Sequence, residues 1–153
     1  MDNKKVISTL NELIETCRDG LDGFKEAAEN VKNPELKSFF NEAATERAYC
    51  VQELQTEVRG LGGEAEKSGS TAGAIHRVWM DIKGTFTGKD DHSILSETER
   101  GEDSAVSTFR DALKGGNLPS NIVSIVERQL QTIQRVHDRV KRLRDAKSAK
   151  SGR

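Results

Sequence analysis

The sequence has few of the features that mark membrane-spanning, secreted or disulfide-stapled proteins. Its 153 residues include two prolines, two cysteines and one tryptophan. No apolar run approaches the roughly 20 residues of a transmembrane helix, and the first residues, MDNKK, lack the apolar core of a signal peptide. Two cysteines are too few for a disulfide framework in a domain of this size, which indicates a reducing compartment. We therefore expect a cytoplasmic protein that does not bind membranes.

The sequence also lacks an excess of charge of either sign. It carries 24 basic and 25 acidic side chains, for a formal net charge of −1, so no overall field attracts nucleic acid. Basic residues are concentrated after residue 135, where the dipole at the end of a helix favours cations. No aromatic residues or groove-reading motif accompany them. We therefore expect no nucleic-acid partner.

The residues that are present follow the apolar spacing of long amphipathic helices. Hydrophobic residues make up 34% and charged residues 32% of the chain, a balance typical of helices with one apolar stripe each. Steps of three and four between apolar residues predict five helices. They cover residues 6–31, 34–61, 72–86, 90–113 and 122–143. We expect residues 1–145 to form a single domain and residues 146–153 to form a frayed basic tail.

The connections between these helices predict their arrangement. The turns at Asn33-Pro34 and at residues 115–119 are short, so each joins an antiparallel helical hairpin. The connection between the hairpins has about 28 residues, far more than a tight turn needs, and it carries the short helix 72–86. We predict an all-α, ferritin-like antiparallel four-helix bundle, with two hairpins joined by a long crossover. A plain up-down-up-down bundle with a decorated loop is the alternative.

Two details concern packing. Gly20 and Gly23 interrupt the first helix, which indicates either a close approach by a neighbouring helix or a local kink. The short helix should pack on the bundle through one face. That face carries Ile75, Trp79, Ile82 and Phe86.

Five segments of the sequence resemble one known family. They read LNELIETCRDGLDGFKEAAENVKNPELKSFF, ERAYCVQELQTEVRGLGGE, AGAIHRVWMDIKGTFTG, ERGEDSAVSTFRDAL and VHDRVKRLRD. Together they are similar to the bacterial ferritin-like family catalogued as domain of unknown function 2383, or "four-helix-bundle protein". The resemblance runs from about residue 5 to about residue 145 and implies the ferritin-like crossover. That family has no established activity, so the resemblance implies a fold and little about function.

A ferritin-like fold raises the question of a carboxylate-bridged metal pair. Such a centre takes one Glu from each of two helices and a Glu-x-x-His from each of the other two. Here Tyr49 stands three residues after Glu46, and His137 stands three residues after Gln134, so neither motif is complete. Glu102 lies on the apolar stripe of its helix.

Three residues are therefore candidate ligands for iron or manganese: Glu46, Glu102 and His137. Other interpretations remain for each. Glu46 pairs with a basic group, Glu102 pairs across helices or reaches solvent, and His137 is a packed, hydrogen-bonded histidine.

The two cysteines form a second candidate site. Cys17 and Cys50 lie 16 to 17 residues on either side of the Asn33-Pro34 turn, so antiparallel pairing brings them to the same level. Both occupy stripe positions. One interpretation is a pair of small buried thiols that pack as hydrophobic groups. The other is a redox-responsive bridge between the first two helices.

The chemical signatures together favour a non-enzymatic bundle with a structural or interaction role. We expect no cofactor and a homo-oligomer, with a dimer favoured. The alternative is a divergent di-iron or di-manganese carboxylate protein that acts in oxidative stress or metal handling.

Overall fold

The computed structural model describes residues 3–64 and 74–151 and confirms the all-α, ferritin-like architecture. Its helices are α1 (Asn3–Asn30), α2 (Pro34–Gly60), α3 (Ala74–Gly84), α4 (Asp91–Lys114) and α5 (Ser120–Ser151). None of the helices in these ranges has an apolar stretch long enough to cross a membrane. Residues 65–70 of the predicted linker, and the side chains of Ile75 and His76, lie outside the part of the chain that the structure describes.

Hydrogen bonds at one end of the bundle establish the crossover topology. The Asn33 side chain caps α2, since it accepts from the backbone N–H of Glu35 at 2.8 Å and of Leu36 at 3.3 Å. The carboxylate of Asp91, the first residue of α4, accepts from the backbone N–H of Lys32 at 2.8 Å. The α1–α2 turn and the start of α4 therefore lie at the same end. Because α2 runs away from this end, the connection to α4 returns along the length of the bundle.

Helix α3 packs into the bundle through its single tryptophan. The Trp79 side chain is 1% exposed, and its indole lies between two glycines on different helices. A Cβ atom at Gly23 of α1 would lie 2.1 Å from the indole Cε3, and one at Gly101 of α4 would lie 2.4 Å from Cζ2. Both positions therefore require glycine. Of the two explanations for the glycines in α1, close approach by a neighbouring helix is correct for Gly23.

The predicted boundaries differ from the structure at two helix ends. Helix α3 ends at Gly84, two residues before the predicted end at Phe86, although Phe86 is buried as expected. Helix α5 continues to Ser151, beyond the predicted start of the frayed tail at residue 146.

The core divides into two apolar clusters with a gap between them. In α1 the first cluster ends at Cys17, and the second has its first fully buried residue at Phe24. In α2 the two clusters meet between Ala44 and Cys50, and in α4 between Leu95 and Ala105. Polar side chains fill this gap, which is the candidate site.

Candidate functional site at the centre of the bundle

An ion pair between two buried side chains lies at the centre of the polar layer. Arg47 of α2 donates a hydrogen bond to Oε2 of Glu102 of α4, and the two side chains are 3% and 0% exposed. Heptad-like spacing places both residues on the inward stripes of their helices. The Arg47 guanidinium also lies over the ring of Phe24, 5.4 Å from its centroid. A Cβ atom at Gly20 would lie 3.7 Å from the Arg47 side chain, so α1 approaches closely here.

Burial governs the protonation of this pair. Desolvation raises the pKa of the Glu102 carboxyl, although the charge and hydrogen bond of Arg47 act in the opposite direction. Desolvation also opposes the charge of Arg47, but the neighbouring Glu102 outweighs it and the pKa of Arg47 is raised. The second carboxyl oxygen of Glu102, Oε1, is buried without a hydrogen-bond partner. The guanidinium is thus the group that neutralises the buried carboxylate.

The two cysteines lie next to the ion pair and contact each other. Cys17 and Cys50 are both buried and free, and their side chains form a hydrogen bond. This hydrogen bond and desolvation raise the pKa of Cys17 well above its ordinary value. The same hydrogen bond lowers the pKa of Cys50. The predicted level pairing across α1 and α2 is therefore present, while a redox role stays a prediction.

A second polar cluster lies at the edge of the bundle between α4 and α5. His137 Nε2 lies 2.6 Å from Oδ1 of Asp103 and 3.9 Å from Oε1 of Glu99. His137 Nδ1 lies 3.0 Å from Oδ1 of Asp138. Burial tends to lower the pKa of His137, but these carboxylates outweigh it and the pKa is raised. Oε2 of Glu99 accepts a hydrogen bond from Arg144.

The structure places the three candidate metal ligands in different environments. Glu46 is exposed on α2, as is Tyr49, because the adjacent position, Arg47, is the one that faces inward. Glu102 is buried and pairs across helices with Arg47. His137 lies near enough to Glu102 for their charges to interact, but its direct contacts are the carboxylates of the α4–α5 edge.

Sequence reasoning missed Glu99 and Asp103 as partners of His137. Neither residue lies on the apolar stripe of α4, which was the only pattern used to select inward positions. Their spacing of four residues puts both on one face of the helix. Asp103 lies about as far before the Gly115–Pro119 turn as His137 lies after it, so the level argument could have found the contact.

The residues at the centre do not fit a carboxylate-bridged di-metal cluster. Such a cluster takes several carboxylates and two histidines pointing inward. The inward i, i+3 pair on α2 is Arg47 and Cys50, which supply a cation and a thiol instead of a carboxylate and an imidazole. Among the described residues, the buried carboxylates are Asp19 and Glu102, and Glu102 is already paired with Arg47.

Comparison with solved structures establishes the fold. The bacterioferritin-related protein of Bacteroides fragilis, described as a dodecameric thioferritin, is 17% identical with a TM-score of 0.78; the match covers 99% of this chain and 92% of that one. A ferritin-like, diiron-carboxylate protein of Bacillus anthracis is 17% identical with a TM-score of 0.74, covering 94% and 99%. The DPS protein of Vibrio cholerae is 15% identical with a TM-score of 0.74, covering 92% and 89%.

Sequence comparison identifies the family. No curated protein matches the chain. A family model described as "Domain of unknown function (DUF2383)" matches residues 5–115, which include α1, α2, the crossover and α4. The chain therefore belongs to the DUF2383 family and has a ferritin-like fold.

Proposed function

We propose that this chain is a non-enzymatic ferritin-like bundle with a structural or interaction role, in which an ion pair stands where a di-metal centre would lie. The observation that carries the proposal is the buried pair of Arg47 and Glu102. A metal cluster neutralises inward carboxylates with metal charge, and here the guanidinium does so. The chain therefore has no need of a metal to hold Glu102 in its core.

The charge of Arg47 also opposes metal entry at this position. At an effective dielectric constant of about 20, a divalent cation about 4 Å from a guanidinium is repelled by roughly 8 kcal/mol. Glu102, as a single carboxylate, attracts the ion by a comparable amount, so the two charges nearly cancel. Neither buried thiol offsets the missing ligands, because a thiol must lose its proton to bind a metal and burial favours the neutral form of Cys17.

We further propose that the bundle self-associates through the exposed face formed by α2 and α5. Tyr49 is 67% exposed on α2, and tyrosine is enriched at protein interfaces. A groove of about 300 Å³ beside it is lined by acidic Glu42 and Glu46 from α2 and by basic Arg135 and Arg139 from α5. A two-fold axis across this face would set the acidic side of one copy against the basic side of the other. One structural relative is itself described as dodecameric.

The test of the central claim is the metal content of protein purified without chelators. We expect iron and manganese to be far below one ion per chain, and added Fe²⁺ to show no ferroxidase turnover. The same measurement on an Arg47→Glu variant is informative, because that change supplies the carboxylate that α2 lacks at the inward position. Expected gain of metal by this variant would show that Arg47 is what excludes it.

The opposite outcome is equally specific. Roughly two iron or manganese ions per wild-type chain, lost when Glu46 and Glu102 are replaced by alanine, would overturn the proposal. The chain would then be the divergent di-metal carboxylate protein of the alternative.

A further inference from the structure

Three metal-ligating groups converge at the α4–α5 edge, outside the central ion pair. One oxygen each of Glu99 and Asp103 and one ring nitrogen of His137 all lie within 4.8 Å of one another. Glu99 and Asp103 are spaced i, i+4 on α4, and His137 faces them from α5, so two regular helices position all three groups.

The distances fit a single ion with small adjustments. Zinc bonds of about 2.0–2.2 Å to nitrogen and oxygen, at tetrahedral angles, separate neighbouring ligand atoms by roughly 3.4 Å. His137 Nε2 lies 2.6 Å from Asp103 and 3.9 Å from Glu99. The exposed Asp103 side chain would move out, and Glu99 would move in, by less than about 1 Å each.

The surroundings of His137 supply an independent observation. A metal-bound histidine usually donates its other ring N–H to a carboxylate, which fixes the tautomer and the ring orientation. His137 Nδ1 lies 3.0 Å from Oδ1 of Asp138, so Nδ1 carries the proton and the Nε2 lone pair faces Asp103 and Glu99. Glu99 is held as well, because Arg144 binds its Oε2 and leaves Oε1 toward His137.

The edge is also accessible to an ion and to water. A groove of about 320 Å³ opens here, and His137 and Asp103 line it. The Asp103 side chain is 63% exposed, while Glu99 and His137 are 12% and 15% exposed. Two ligands are thus held in a mostly enclosed position, and solvent is free to complete the coordination.

We propose that Glu99, Asp103 and His137 form a mononuclear site for a divalent transition-metal ion, with Zn²⁺ the best match to one imidazole and two carboxylates. Water fills the remaining positions, and Asp138 orients the histidine. The site differs from a ferritin-type centre in nuclearity, in its position at the edge of the bundle and in its independence of Glu46 and Glu102.

The test is isothermal titration calorimetry of the full, untagged chain with ZnCl₂. We expect one Zn²⁺ per wild-type chain in the micromolar range or tighter. Asp103→Asn and His137→Asn should each weaken binding by more than about tenfold, and Asp138→Asn by about 10- to 100-fold through the lost orienting bond. The matched control is Asp111→Asn, since Asp111 is an exposed carboxylate of α4 that lines the same groove and should leave the affinity unchanged.

Two results would overturn the proposal. One is binding at millimolar concentration only, or binding that Asp103→Asn and His137→Asn leave intact. The other is zinc held by the thiols, which would appear as loss of binding in a Cys17→Ser, Cys50→Ser variant and as a thiolate charge-transfer band in the Co²⁺-substituted wild type. Because Asp103 is exposed, its variant folds whether or not the site exists, and the result remains interpretable.

Discussion

At the scale of single residues, the central ion pair joins two side chains that water would otherwise solvate. Removing two charges from water costs several kcal/mol per ion, which their mutual attraction offsets only when both partners are present. The pair is therefore a poor source of net stability and a strong constraint on its own members. Because Phe24 and Gly20 pack against the Arg47 side chain, the guanidinium has little room to reach solvent if its partner is lost.

This asymmetry predicts the effect of breaking the pair. Glu102→Ala should lower the free energy of unfolding by about 3–5 kcal/mol, because it leaves the Arg47 charge buried and unpaired. The double variant Arg47→Met, Glu102→Leu should be neutral or more stable than wild type by roughly 1–4 kcal/mol. Urea denaturation measures both, with exposed Glu46→Ala as the control, expected within about 0.5 kcal/mol of wild type. A Glu102→Ala cost no larger than that control would contradict the burial of the pair.

The thiols offer a second prediction at this scale. Cys17 and Cys50 should react slowly with an alkylating reagent in the native state and rapidly once the chain unfolds, because both are buried and the pKa of Cys17 is raised. Alkylation followed by intact mass, with and without denaturant, measures this. The lowered pKa of Cys50 makes it the more reactive of the two if the α1–α2 hairpin opens. Fast labelling of either cysteine in the native protein would show that the packing of α1 against α2 is wrong.

At the scale of helices, the contact between α1 and α3 depends on which glycine faces the tryptophan. Gly20 and Gly23 are one turn apart, but the added Cβ would have ordinary van der Waals contact at Gly20 and a severe clash with Trp79 at Gly23. The aromatic ring also packs edge-on against Phe24, with centroids 5.6 Å apart. The position of α3 is thus determined by one large side chain and the absence of another.

These two glycines give a matched pair of substitutions. Gly20→Ala should raise the free energy of unfolding by up to about 1 kcal/mol, because alanine is the better helix former and there is space for its methyl group. Gly23→Ala should lower it by about 1–3 kcal/mol, because the methyl group displaces the indole. The native fluorescence of Trp79 should be blue-shifted in wild type and in Gly20→Ala, and shifted to the red in Gly23→Ala. Equal stability of the two variants, or wild-type emission resembling tryptophan in water, would contradict the placement of α3.

The same elements show how far the sequence alone could predict the structure. Apolar spacing identified the inward positions of Cys17, Arg47, Cys50 and Glu102, because burial of a stripe depends on local periodicity. It left the role of Gly23 open, because the reason for that glycine is a side chain 56 residues away in another helix. It missed the contact of Asp103 with His137 for a related reason. Polar side chains at the edge of a stripe have no periodic signal, and only the relative level of two helices brings them together.

At the scale of the whole molecule, the two hairpins meet unequally on their two sides. Helix α3 packs against both α1 and α4, which closes that side of the bundle. On the other side, α2 and α5 are separated by a groove in which Phe39 contributes an aromatic ring, with the Arg139 guanidinium over it at 5.4 Å. Acidic residues line one wall and basic residues the other. A face of this kind is complementary to a second copy of itself turned by 180°.

The last prediction tests that self-association. Size-exclusion chromatography with light scattering should give a dimer for the wild-type chain. Arg135→Glu should shift it to monomer, because the acidic wall of the partner then faces like charge. Glu46→Arg should do the same, and the two changes together should restore the dimer by exchanging the charges. Both residues are exposed and outside the core, so neither change is expected to affect folding. Exposed Lys25 of α1, on another part of the surface, provides the charge-reversal control. A monomeric wild type would refute self-association, whereas a dimer indifferent to Arg135→Glu and Glu46→Arg would place the interface elsewhere.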